Sequence, residues 1–182
     1  MRKIVAGLFI SLDGVTESPQ NWQMGLMDDE AGADVGRGME EADTILLGRR
    51  TYEEFAGYWP NAAPDDPFTQ YINNTPKVVV SNTVTSSDWK NTTFISGDVS
   101  GQLRSLKEQD GKNIGMTGSV TLVRSLLRDG LLDELRLQLY PIVVGTGKHL
   151  FEQSIGQLPL KLIESKTTSK GIALLHYQPV RD

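Results

Sequence analysis

Two periodicities alternate along the chain. Ile4–Ile10 is an apolar run interrupted only at Gly7, and Lys3–Ser11 reads as a first strand. Met27, Ala31, Val35, Met39 and Ala42 then recur at helical spacing, which predicts a helix over Asp28–Ala42. Gly32, Gly36 and Gly38 weaken that helix, since each costs about 1 kcal/mol against alanine. Thr44–Leu47 is a short apolar strand of the kind found in sheets covered on both faces. Thr51–Tyr58 reads as a helix whose Thr51-Tyr52-Glu53-Glu54 start matches a capping box. Asn61–Pro67 reads as a proline-rich loop, Lys77–Val80 as a strand ending in Ser81-Asn82, Phe94-Ile95 as a short strand and Val99–Gln109 as a helix. Asn113–Met116 is strand-like, and Val120–Asp129 is helical between an N-cap at Ser119 and a stop at Gly130. Glu134–Val144 reads as a long strand, and Leu158–Thr168 with Gly171–Tyr177 as a closing hairpin. Strands alternating with helices before that hairpin predict an α/β fold, mostly parallel with an antiparallel end.

The 182 residues suit one domain, spanning 1–182, with no internal repeat or linker. A net charge of -5 argues against a generic nucleic-acid partner. With no cysteine, thiol catalysis, disulfides and Cys-based zinc sites are excluded, which fits a cytoplasmic protein. No run approaches the ~18 apolar residues of a membrane span. The two histidines, His149 and His176, are too few and too separate for a metal site, so no metal is expected. A nucleophile elbow is also missing, which leaves hydrolysis without machinery.

Two strand-to-helix junctions carry the candidate chemistry. At Thr117-Gly118-Ser119 a glycine lets backbone N–H groups approach an anion at the start of the Val120 helix, with Val120 and Thr121 as neighbours. At Gly48-Arg49-Arg50-Thr51 two fixed positive charges follow a strand, and arginine can fork two N–H bonds onto phosphate. Together they predict a phosphate-rich ligand. The Gly-x-Gly-x-x-Gly dinucleotide fingerprint does not occur. Asp13-Gly14 follows the first strand, where ligands gather in α/β sheets, and is equally a turn signal. Asp28, Asp29 and Glu30 open the first helix, where acids also complement the helix dipole.

Ser11-Leu12-Asp13-Gly14-Val15, Thr44–Tyr52, Lys77–Ser81, Thr117-Gly118-Ser119, Asp133–Leu137 and Pro141–Phe151 occur in an order that resembles the dihydrofolate-reductase-like superfamily. Within it they resemble the branch holding the C-terminal reductase domain of riboflavin biosynthesis proteins. The resemblance implies a three-layer fold with helices on both faces of a central sheet. It also implies NADPH as cofactor and reduction of a nitrogen heterocycle or a ribosylamino-pyrimidine. By resemblance Arg49 faces the cofactor's 2′-phosphate, Arg50 and Thr51 approach its phosphates, and Ser81 and Asn82 cap the same phosphate. Ala6 and the Leu12–Val15 segment, with Asp13, line the nicotinamide region. Asp28, downstream of Trp22, matches a substrate-binding carboxylate and is the candidate catalytic acid. A homodimer through the C-terminal strands is implied as well. Two departures stand out. No segment reads as the zinc deaminase domain that often accompanies the riboflavin reductase, and Ser119 replaces the second glycine of the family's Gly-Gly turn. A pyrimidine reductase of riboflavin biosynthesis is the favoured expectation, with dihydrofolate reductase and a non-catalytic NADPH-binding or sensing domain as alternatives.

Overall fold

The computed structural model describes residues 1–23, 25–151 and 156–181. Eight strands form one sheet: β1 (Ile4–Ser11), β2 (Ala42–Gly48), β3 (Lys77–Val80), β4 (Thr92–Ile95), β5 (Asn113–Met116), β6 (Glu134–Tyr140), β7 (Leu160–Thr167) and β8 (Ala173–Pro179). Their spatial order is β4-β3-β2-β5-β1-β6-β8-β7. The first six run parallel; β6 pairs antiparallel with β8, and β8 with β7. Five helices fill the connections: α1 (Asp29–Glu40), α2 (Arg49–Tyr58), α3 (Pro67–Asn74), α4 (Val99–Glu108) and α5 (Val120–Arg128).

Alternation along the strands sorts these helices into two layers. Ile4, Ala6, Leu8 and Ile10 of β1 and Leu46 of β2 pack with Leu103 of α4 and Leu122, Val123, Leu126 and Leu127 of α5. Ile45 and Leu47, one residue out of phase, pack on the opposite face with Tyr52 of α2 and Ile72 of α3. Ala31 of α1 packs on that same side with Tyr140 and Leu174. The α/β architecture and antiparallel end are as the pattern predicts, and the three layers are as the resemblance implies.

Several local expectations are corrected. β6 ends at Tyr140 and not at Val144, because the Ile142 amide turns back onto Tyr140 O and the Asp13 carboxylate accepts from the Val144 and Gly145 amides beyond it. The capping box at Thr51 does not form: α2 begins at Arg49, with Gly48 as an N-cap that offers no side-chain acceptor. Both arginines therefore lie within the first turn. The loop after Asn61 contains an unforeseen helix, α3, started by Asp66, whose Oδ1 accepts from the Thr69 amide at 2.8 Å, and by Pro67 at its first position.

Candidate functional site

All parallel strands present their carboxyl ends on one edge of the sheet, and β2 and β5 are direct neighbours. The Gly48 and Thr117–Ser119 junctions therefore meet there. The Gly48 amide donates to Gly118 O at 3.3 Å. A Cβ on Gly48 would stand 2.9 Å from the Ser119 Cβ, and one on Gly118 would stand 2.7 Å from the Thr51 Oγ1. Only residues without side chains let the corners approach this closely. The Gly118–Ser119 peptide is cis. Ser119 caps α5, its Oγ accepting from the Leu122 amide at 3.3 Å, so the amides of Val120 and Thr121 lie in the uncapped part of that first turn.

At the α2 corner the charge arrangement opposes the helix. Its first turn holds no acid, while Arg49 and Arg50 occupy its first two positions. Cations at a helix N-terminus are unfavourable by about 0.3–1 kcal/mol each. An anion bound there would reverse that sign. A cavity of about 390 Å³ opens beside this corner, lined by Arg49, Val80, Ser81, Asn82, Thr83, Gly97 and Val99. Arg49 lines it and Arg50 does not. Ser81 is buried, and its Oγ accepts from the Thr83 and Val84 amides at 3.2 and 2.9 Å, which leaves its proton for an incoming acceptor. Thr83, Gly97 and Val99 were not among the sequence candidates. The turn residues after β3 were the only hint of Thr83, and the pairing of β3 with β4 brings the other two near.

On the face that carries α1 and α2, β1 lies between the two sets of helices. α1 lies over β6 and β8: Gln138 donates to Ala31 O at 2.9 Å, Arg136 pairs with Glu41 at 2.7 Å, and the His176 Nε2 stands 3.3 Å from Asp34. α2 and α3 lie over β2 and β3. Between them Gly7 faces the same side, and a Cβ there would meet nothing within 4 Å. Half-buried Phe9, Trp22 and Met27 pack beside α1 around buried Tyr140.

Three predicted site residues have other employment. Ala6 points its methyl into the α4–α5 core, fully buried, and its strand is paired on both sides, so that side chain cannot line a cofactor. Asp13 braces a loop: its carboxylate accepts from the Ser11 hydroxyl at 2.6 Å and from the Val144 and Gly145 amides at 3.0 and 2.8 Å. Those donors hold its pKa far below the usual carboxylate range. Asp28 is the N-cap of α1, accepting from the Ala31 amide at 2.9 Å. The Ser169 hydroxyl and the Lys170 amide also donate to it, at 3.3 and 3.1 Å, and its pKa is lowered to about 2, the neighbouring Thr168 side chain contributing most. At neutral pH Asp28 thus carries no proton to deliver, and it serves as a fastener between α1 and the β7–β8 turn. Among the described residues no group of three or more His, Cys, Asp or Glu could hold a metal, and no helix is long and apolar enough to cross a membrane.

Known proteins resemble this chain in sequence or in fold. The Bacillus subtilis protein YyaP, itself uncharacterized, is 30% identical over 97% of this chain and 94% of its own. A solved structure from a Shewanella species superposes with a TM-score of 0.80 at 20% identity, covering 98% of this chain and 99% of that one. A Thermotoga maritima diaminohydroxyphosphoribosylaminopyrimidine deaminase/5-amino-6-(5-phosphoribosylamino)uracil reductase superposes at 0.69 and 13% identity, matching 98% of this chain and 57% of that longer one. Enterococcus faecalis dihydrofolate reductase complexed with NADP(H) superposes at 0.64 and 13% identity, with 97% and 96% covered. Residues 2–174 match the RibD C-terminal domain, and the chain belongs to that family of reductase-like domains with a dihydrofolate-reductase-like fold.

Proposed function

We propose that the protein is an NADPH-dependent reductase acting on a pyrimidine- or pterin-type heterocycle. Within that class it is most like the 5-amino-6-(5-phosphoribosylamino)uracil reductase of riboflavin biosynthesis. The observation that carries the reading is the contact of two glycine corners beside a cation-bearing cavity. In this reading Arg49, Ser81 and Asn82 hold the 2′-phosphate, with Arg50 adding charge at the rim. Gly48, Thr51 and Thr117–Thr121 hold the pyrophosphate. Glycine at 48 and 118 lets the two corners pack directly against each other, which brings both helix starts to the one place where such a group would lie. When bound, the cofactor supplies the hydride.

The protein's contribution is orientation and exclusion of water. The open face over Gly7, between α1 and α2, aligns a flat acceptor along β1. Phe9, Trp22 and Met27 offer it an apolar end. Asp13 holds Val144 and Gly145 at the mouth, acting through the loop and not on the ligand. The proton that balances hydride transfer comes from solvent or the substrate, because Asp28 is ionised. A cytoplasmic location and a homodimer joined through the β7–β8 hairpin complete the proposal. β7 is an exposed edge strand carrying Leu162 and Ile163, and Leu162→Arg should shift the species seen in sedimentation from dimer to monomer.

The test is a fluorescence titration with NADPH followed by NADPH oxidation assays on ribosylamino-pyrimidines and pterins. Saturable binding with turnover is expected. No binding at millimolar NADPH defeats the reading, and tight binding without turnover on any heterocycle favours a sensing domain.

A further inference from the structure

The cation that lines the cavity is shared. Arg49 Nη1 lies 3.5 Å from Glu53 Oε1, one helical turn further along α2, with both side chains nearly half exposed. Glu53 is a poor choice if α2 only needed a stable first turn. Acids complement the dipole best in the first three positions, and none stands there. From position 53 the carboxylate reaches back to the one arginine that lines the cavity. Arg50, its neighbour in the chain, has no ion-pair partner among the described residues.

We infer that Glu53 is a specificity-determining counter-ion: it competes with the ligand's 2′-phosphate for Arg49 and so limits how strongly the site prefers NADPH to NADH. This rests on the cofactor reading above. A phosphate arriving in the cavity must draw one guanidinium edge from Glu53. That competition weakens binding of the phosphorylated ligand alone, because a nucleotide lacking the 2′-phosphate leaves the pair intact. Exposed i,i+4 pairs are weak, so the effect is small and salt-dependent, about two- to fivefold.

The experiment uses the full chain and two nucleotide probes, adenosine 2′,5′-bisphosphate and 5′-AMP, titrated calorimetrically at low and high salt. Glu53→Gln should tighten the bisphosphate about two- to fivefold at low salt and leave AMP unchanged. In an Arg49→Gln background the same substitution should do nothing. Glu54→Gln, which removes the same charge one position along, should leave the ratio of the two affinities as it was. The inference is overturned if Glu53→Gln changes neither affinity or both equally, if Glu54→Gln matches it, or if its effect survives without Arg49. An unmodified protein that binds neither probe, or both alike, overturns the cofactor reading itself and the inference with it.

Discussion

Gly48→Ala is the most direct perturbation of the site. The added methyl would lie 2.9 Å from the Ser119 Cβ and 3.1 Å from the Ser119 nitrogen, well inside van der Waals contact. Neither neighbour can rotate away cheaply, because Ser119 caps α5 and Gly48 is held to Gly118 O. The corners must part. Overpacking of this kind costs about 1–3 kcal/mol, which for a chain of this size lowers Tm by about 2–4 °C per kcal/mol. Parted corners also lose their joint grip, so NADPH affinity should fall. Ser119→Gly removes the Cβ that collides, and as a cap replacement it costs only a few tenths of a kcal/mol. The double variant should therefore recover most of both losses, a coupling well above the ~0.5 kcal/mol scatter of independent sites. The assay is paired urea denaturation and NADPH titration of the four proteins. Additive losses in stability would refute the close contact. Restored stability without restored affinity would refute its role in binding the dinucleotide.

Lys77 is fully buried; its Nζ donates to the carbonyls of Ile72 and Thr75, both at 2.9 Å, and sits 4.5 Å above the Trp89 ring. Burial lowers its pKa to about 8, below its unfolded value, so the unfolded chain binds more protons between about pH 8 and 10, and stability should rise with pH across that window. Lys77→Met should abolish the rise, as thermal melts against pH would show. Asp28, with its pKa lowered to about 2, should support α1 above about pH 4 and release it as pH falls toward 2; Asp28→Asn should flatten that acid limb in far-UV circular dichroism. Gly32→Ala meets nothing within 4 Å and should raise stability by about 1 kcal/mol in chemical denaturation; a loss would mean that the helix face is already occupied.

The chain's order of apolar runs and helical repeats was enough to read the α/β class, the parallel body and the closing hairpin, because each depends on periodicity within one segment. The two strand-to-helix junctions were legible for the same reason: a strand, a glycine and a helix start are local. Where side chains from distant segments compete for one another, only the tertiary structure shows which partners a group takes. Asp13 looked like a ligand until the amides of Val144 and Gly145, more than 130 positions away in sequence, were found to occupy it. Asp28 looked like an acid until the β7–β8 turn supplied its donors. Choosing between Arg49 and Arg50 likewise needed the cavity formed beside Val80 and Val99. Hydrogen-bond capacity is finite, and which partners consume it is decided only when the sheet brings them together.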